Sequence, residues 1–284
     1  MKTLLLTGAN GFVGKYFIDK YNTKYIIKTF SFRNDNFDLL DLCKIDIVVH
    51  LSALVHQMDG AVKDEYENIN VKQTIALAKK SKDNGVGHFL FMSSIKVYGE
   101  ETDIAYTEDT KCNPQDEYGK SKLKAEVLLK ALEDNKFKIS IIRTPIVYGY
   151  GVKANIENLV KLVKNISILP FGNIDNKRSM IYIGNLSYLI NKILVMEKSG
   201  IFLASDDDVF SSAEFMKLIA NSLNKNLYLI KLPFFKELLN IVKPSYYKRL
   251  YKSLEVNNDK TKKILNLKNP YTSKKGIEFM IKGE

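Results

Sequence analysis

The sequence predicts an α/β fold: a doubly wound parallel sheet followed by a smaller C-terminal region. Two observations carry this. Short apolar runs alternate with longer segments of helical period, and three glycines follow the first apolar run at fixed spacing in "LLLTGANGFVGK". A chain of 284 residues, 45% hydrophobic and 26% charged with no low-complexity run, can bury a sizeable core without disulfides.

The first strand is expected over Thr3–Thr7, where "MKTLLL" is too short an apolar run for a secretory signal. A helix then begins near Gly11, and further strands are expected at 25–32, 46–51, 88–93 and 139–144. Two long helices separate the last three strands. In the first, over 66–84, Val71, Ile75 and Ala78 form an apolar stripe and Gly85 suits a C-cap. In the second, over 117–135, Leu123, Val127 and Ala131 share one face, with Pro114 just ahead. Strand and helix in alternation give a parallel sheet with right-handed crossovers, covered on both faces. Residues 1–150 thus read as the strand-helix domain and 151–284 as mainly a second region, with some segments returning to the sheet. Within the latter, Ser211 followed by Glu214 is a capping-box signature that starts a helix.

No run of apolar residues is long enough to span a bilayer, and Cys43 and Cys112 lie far apart without metal-like spacing. Together with the lack of an export signal, these features predict a reducing, cytoplasmic setting. The net charge of +11 comes mainly from dispersed lysines, a pattern of solubilising surface rather than a nucleic-acid footprint. "KPSYYKRLYK" and "DKTKK" are the densest basic stretches, and peripheral contact with a membrane surface stays open there.

Gly8, Gly11 and Gly14 stand between a strand and a helix, the context of a dinucleotide-binding turn. Glycine lets the backbone approach a pyrophosphate, whose charge meets free N–H groups at the helix N-terminus. Their spacing is G-x-x-G-x-x-G rather than G-x-G-x-x-G. A second signal is "YGKSK", which sets Tyr118 and Lys122 four apart on one helix face, downstream of Ser93 and Ser94 at a strand end. Neither serine has the His and carboxylate of a nucleophilic triad around it.

Together these motifs, with "HLSALVH", "NVKQTIALAKKS", "SSIKVYGE", "RTPIVYGYGVKAN", "NKRSMIYIGNL" and "SLEVNNDKTKKIL", resemble the extended short-chain dehydrogenase/reductase family, also called the epimerase/dehydratase family. The resemblance covers nearly the whole chain and implies a Rossmann fold. "SSIKVYGEET", "GVKANIENLVKLV" and "LPFGNIDNKRSMIYI" look most like UDP-sugar 4-ketoreductases, which reduce UDP-4-keto-6-deoxy-N-acetylhexosamines for surface polysaccharides. The alternatives are a UDP-hexose 4-epimerase retaining NAD and a non-catalytic dinucleotide sensor. Met92 and Lys96 depart from the small polar residues common in epimerases at those positions.

The resemblance implies that Tyr118 exchanges a proton with the sugar oxygen, that Lys122 supports it and holds the nicotinamide ribose, and that Ser94 polarises the substrate. Catalysis near neutrality wants the tyrosine lowered by roughly three units, or about 4 kcal/mol, and Lys122 is expected to supply much of this. Gly8, Gly11, Phe12, Val13, Gly14, Leu51, Ser52, Ala53 and Pro145 are implied around the dinucleotide. Ser31 and Arg33 stand where an acid would bind an NAD ribose, which favours NADP(H) and leaves NAD(H) as the alternative. Ser93, Lys96, Asn155 and Arg178 are implied on the substrate side, though Asn155 also suits an N-cap and Lys96 or Arg178 a solvated surface. His50 is expected at a strand end near the cofactor, and His56 and His88 as structural. A homodimer through the two long helices is expected by analogy.

Overall fold

The computed structural model describes residues 1–55 and 63–283, so His56, the last residue of "HLSALVH", lies outside the described residues. In its first half the chain runs β1 (Thr3–Thr7), α1 (Phe12–Tyr21), β2 (Ile26–Phe30), β3 (Ile47–His50), α2 (Lys63–Tyr66), a π-helical segment (Glu67–Gln73), α3 (Thr74–Asp83), β4 (His88–Ser94), a 3-10 turn (Ile95–Val97), α4 (Glu117–Lys130) and β5 (Lys138–Thr144). It continues through β6 (Ile146–Tyr148), α5 (Asn155–Asn165), β7 (Ile168–Leu169), β8 (Met180–Tyr182), α6 (Ile183–Met196), β9 (Gly200–Leu203) and α7 (Ser212–Ser222). The last elements are β10 (Tyr228–Leu229), α8 (Phe235–Val242), α9 (Pro244–Tyr251), α10 (Asp259–Leu265) and α11 (Ser273–Lys282).

Six strands form the main sheet in the order β2-β1-β3-β4-β5-β9, all parallel. The chain crosses from β2 over β1 to β3, so the order reverses between β1 and β3. In a doubly wound sheet the crevice at the carboxyl ends of those two strands is where a ligand is received. Apart from the edge strand β2, the strands of the sheet's middle are buried on both faces, as crossover helices require: Leu4, Leu6, Ile47, Val49 and Leu90 pack under α1 and α6, while Leu5, Val48, Phe89, Phe91 and Ile139 pack under α3 and α4. Each fully buried Leu, Ile or Phe contributes about 1.5–3 kcal/mol of transfer free energy.

Several boundaries depart from the sequence reading. The strand expected over 25–32 is limited to Ile26–Phe30, because Ser31 enters a turn closed by Asp35. The first long helix is interrupted by the π-helical segment, and Gly85 follows its end at φ +76°, the left-handed conformation a terminating glycine supplies. The second stops at Lys130, and its expected apolar stripe is wrong. Val127 is 61% exposed, whereas Ser121, Lys122, Ala125, Glu126 and Leu129 are buried. Hydrophobic period failed here because the inward face carries a lysine and a glutamate whose charges find buried partners.

The second region has its own core around Tyr148, Tyr182, Phe215, Met216 and Ile219. Asp206 ties it together, accepting from Tyr148 Oη at 2.5 Å and Asn185 Nδ2 at 2.7 Å, and burial pushes its carboxyl up to about 6. The capping box forms as expected at the start of α7. Two later segments return to the first region, β9 as the sixth strand and α6 against α1 and the sheet. Among the described residues no helix is long and apolar enough to cross a membrane.

Candidate active site

The glycine turn sits at the carboxyl end of β1, at the reversal point of the sheet. Gly8 takes φ +74°, and a Cβ there would lie 2.8 Å from the Ser52 nitrogen and 2.9 Å from the Leu51 carbonyl carbon. A Cβ on Gly14 would meet the Gly8 oxygen at 2.3 Å, so α1 can pack this close to the turn only without a side chain. Gly11 is the N-cap of α1 and no side chain accepts from the first turn. The leading N–H groups of the helix, at Phe12 and Val13, are therefore not capped by a side chain in the way an anion-binding terminus requires. Phe12 and Val13 fix the helix by packing into the second and first cores respectively. The turn and the start of the β3 loop, Leu51 to Ala53, thus form one cradle that fits a dinucleotide.

A buried asparagine that sequence reasoning did not single out holds this loop in place. Asn70 accepts from the Leu54 nitrogen at 2.8 Å and donates to the Leu54 carbonyl and the Ser121 hydroxyl, both at 3.0 Å. It links the β3 loop to α4. His50 stands at the end of β3 as expected and is 1% exposed, bonded to Thr7 at 2.7 Å and Thr74 at 2.9 Å, with its ring stacked on Phe91. Burial holds it neutral, with its pKa lowered to about 3. His88 is likewise buried and bonded to Ser140.

Tyr118 and Lys122 project from the first turns of α4, whose N-cap Asp116 accepts from the Gly119 nitrogen at 2.7 Å. The Tyr118 phenol hydrogen-bonds with Ser94 at the end of β4, bringing together the three residues implied in catalysis. Lys122 is 2% exposed; its Nζ donates to the Met92 carbonyl at 2.8 Å and lies 4.5 Å from the Phe91 ring centre and 6.0 Å from that of Tyr118. Pro145 is buried directly after β5.

The electrostatics correct one expectation. Tyr118 is pushed up to about 12 rather than lowered: burial dominates, Asp116 and Tyr66 add to it, and only the Ser94 hydrogen bond opposes. Lys122 does not offset this, because burial lowers its own pKa to about 7, with Glu126 acting the other way. An ammonium that is itself half titrated at neutrality stabilises a phenolate weakly.

Behind the site lies an ion pair the sequence reading missed. Arg143 Nη2 meets Glu126 Oε2 at 2.6 Å and Nε contacts both carboxylate oxygens, with side chains 4% and 3% exposed and the guanidinium 4.6 Å from the Tyr98 ring centre. Ser93, implied on the substrate side, instead donates its hydroxyl to this Glu126. Side chains alternate along a strand, so Ser94 faces the site and Ser93 the pair behind it. Lys96, the other candidate beside β4, is engaged by Asp116 at 2.5 Å and Glu100 at 3.2 Å, which leaves it acting as a clamp on the α4 N-terminus.

On the substrate side Asn155 is the first residue of α5, not its cap, and its Oδ1 accepts from Arg249 Nη1 at 3.1 Å. Arg178 bridges to β-like partners at Phe210 and Leu254 and donates from Nη1 to the Lys252 carbonyl at 3.0 Å. It forms no ion pair among the described residues, and burial together with the nearby Arg249 lowers its pKa to about 10. Arg249 thus stands beside both Asn155 and Arg178. Arg249 lay in "KPSYYKRLYK", where a basic run gave no signal distinguishing it from its neighbours. At the end of β2, Ser31 is half-buried and Arg33 exposed, and the nearest acid, Asp35, accepts from the Ser31 nitrogen at 2.8 Å.

The sequence of residues 4–202 matches the family described as the NAD dependent epimerase/dehydratase family. A UDP-glucose 4-epimerase of Vibrio cholerae is 36% identical over 309 aligned residues, spanning 98% of this chain and 94% of that protein. Two solved structures share the fold. The UDP-glucuronic acid 4-epimerase of Bacillus cereus in complex with NAD superposes with a TM-score of 0.78 at 20% identity, covering 99% of this chain and 97% of that one. The dTDP-4-dehydrorhamnose reductase of Bacillus anthracis in complex with NADP gives a TM-score of 0.76 at 22% identity over the full length of both chains.

Proposed function

The chain belongs to the NAD dependent epimerase/dehydratase family and is an enzyme of that nucleotide-sugar type, and we propose that it reduces the 4-keto group of a UDP-4-keto-6-deoxy-N-acetylhexosamine. The observation that carries this reading is the end of β2, where Ser31 and Arg33 follow the strand and the nearest acid, Asp35, accepts from the Ser31 nitrogen, a setting that suits a reductant carrying a 2′-phosphate rather than a retained NAD. Tyr118, a neutral phenol beside Ser94, is the group placed to give a proton to the reduced oxygen.

When bound, the dinucleotide supplies the hydride that adds to the carbonyl carbon. This chain's residues do the rest. Ser94, hydrogen-bonded to Tyr118, donates toward the carbonyl oxygen and polarises it. Tyr118 gives that oxygen its proton, which leaves the sugar a hydroxyl and the enzyme a phenolate to be reprotonated. Lys122, poised near 7, can pass on a proton, and its donors not used by Met92 serve the nicotinamide ribose. Gly8, Gly11 and Gly14 with Leu51, Ser52 and Ala53 hold the pyrophosphate end. Arg178, Arg249 and Asn155 hold the substrate diphosphate, fixing the sugar for transfer.

Ser31 and Arg33 support NADP(H) as the reductant, since no acid occupies the first positions beyond β2 and Asp35 is spent on closing the turn. Val127 at 61% and Leu128 at 38% exposure on α4 support a homodimer through α3 and α4. A second reading, a UDP-hexose 4-epimerase retaining NAD, is favoured by the Vibrio cholerae relative. The two separate in one assay: stoichiometric oxidation of NADPH by the 4-keto sugar supports the reductase, whereas interconversion of UDP-glucose and UDP-galactose without added cofactor supports the epimerase.

A further inference from the structure

Helix α8 leaves its most apolar side in water. Phe234 is 83% exposed, Leu238 58%, Ile241 79% and Val242 64%, and no residue of the helix is buried. Within the helix, positions 238, 241 and 242 follow i, i+3, i+4 and share one side, with Phe234 exposed at the N-cap, while Phe235 and Leu239 turn toward the domain and Phe235 meets Phe171 edge to face at 5.8 Å. The segment entering the helix extends the apolar surface through Ile230 and Leu232, each 46% exposed. Scattered exposed hydrophobics are ordinary, but a continuous stripe on an otherwise formed helix is a contact surface.

The charge of this segment is one-sided. Residues 230–252 contain six Lys and Arg, counted at 231, 236, 243, 248, 249 and 252, against Glu237 alone. Lys231, Lys236 and Lys243 form no ion pair among the described residues. Lys236 and Lys243 occupy the polar side of α8, within about one Debye length, roughly 8–10 Å, of whatever the stripe rests on. An apolar stripe backed by lysines is the pattern of a helix lying in the plane of a membrane interface.

We propose that the α8 face seats this protein on an anionic phospholipid bilayer, with Phe234, Leu238, Ile241 and Val242 entering the headgroup boundary and the surrounding lysines drawn to acidic lipids. A second copy of the chain fits this face less well. A two-fold contact would set the same patch against itself and oppose Lys231, Lys236 and Lys243 with the same three lysines of the other copy. The helix is too short to cross the bilayer, with eight residues. The attachment is peripheral and weakens with salt.

The full-length protein is sedimented with phosphatidylcholine vesicles and with vesicles containing phosphatidylglycerol as well, at low and high salt. The expected result is binding to the anionic vesicles about tenfold or more tighter than to the neutral ones, reduced by salt. Leu238→Glu with Ile241→Glu should lower it about tenfold, and so should Lys231→Glu with Lys243→Glu, which spares the stripe. All four positions are exposed and outside the active site, so turnover of soluble substrate is expected to stay unchanged. Absence of binding to anionic vesicles by the parent, or undiminished binding by both variants, would overturn the proposal. So would self-association of the parent that Leu238→Glu abolishes without any vesicle binding.

Discussion

The Lys122 ammonium nitrogen lies 2.8 Å from the Met92 carbonyl, one helical turn beyond Tyr118 and with 2% of the residue exposed. A lysine so placed is held at high cost in solvation, and the cost shows in its pKa of about 7. The unfolded chain protonates the same residue near 10.4. Between those values the unfolded state binds the extra proton, so stability is present above the unfolded value and is lost as pH falls toward 7.

Lys122→Met should therefore stabilise the fold while disabling the enzyme. The full penalty at neutral pH is about 4 kcal/mol by linkage, part of which returns as lost contacts to Phe91 and Met92. The expected outcome is a rise in denaturation midpoint, greatest below pH 7 and vanishing near pH 10, with turnover reduced by at least about a hundredfold. Urea titrations across pH and a steady-state assay read both.

Tyr118→Phe removes the proton donor and leaves the ring. Turnover should fall by about three orders of magnitude. Cofactor binding, followed by quenching of the tyrosine fluorescence, should change little, because the glycine cradle is untouched. A variant that turns over at the parent's rate would place the proton transfer on another group.

Glu126 and Arg143 form a buried pair, and breaking one side strands the other charge. Glu126→Gln and Arg143→Met should each cost about 3–5 kcal/mol, while the double variant should cost much less than their sum. Ser93 loses its acceptor in the first of these, and Lys122 loses the carboxylate that keeps it from titrating lower still. Glu126→Gln should accordingly shift the pH profile of turnover toward acid, a readout that destabilisation alone does not move.

Arg178→Ala tests the substrate side. With one of two guanidiniums gone, the dissociation constant for UDP should rise by about ten- to a hundredfold, or 1.5–3 kcal/mol for a charged hydrogen bond. The cofactor's affinity should be unchanged. Calorimetric titration with UDP distinguishes this from a structural role, in which both ligands would weaken together.

The dinucleotide cradle and the pairing of Tyr118 with Lys122 were legible because each has a local mechanism. Gly8 and Gly14 mark close backbone approach, and a four-residue spacing on a helix fixes a shared face. Long-range polar pairing was not legible. Glu126 and Arg143 are 17 residues apart and meet only once α4 packs on β5, so the face of α4 that looked inward by hydrophobic period is the exposed one. Ser93 and Ser94 look alike in sequence and part only through the alternation of β4. The direction of the Tyr118 shift was also beyond reach, since it depends on how much water α4 and β4 exclude. Arg249 reaches Asn155 from 94 residues away, a separation that no motif spans.

Hydride transfer to C4 of a keto sugar is read out by supplying NADPH deuterated at the transferring position together with the UDP-4-keto-6-deoxy-N-acetylhexosamine. The product, analysed by proton NMR and mass spectrometry, is expected to carry one deuterium at C4 for each nicotinamide oxidised. Product without deuterium, or an unchanged keto sugar alongside rapid equilibration of UDP-glucose with UDP-galactose, would contradict it.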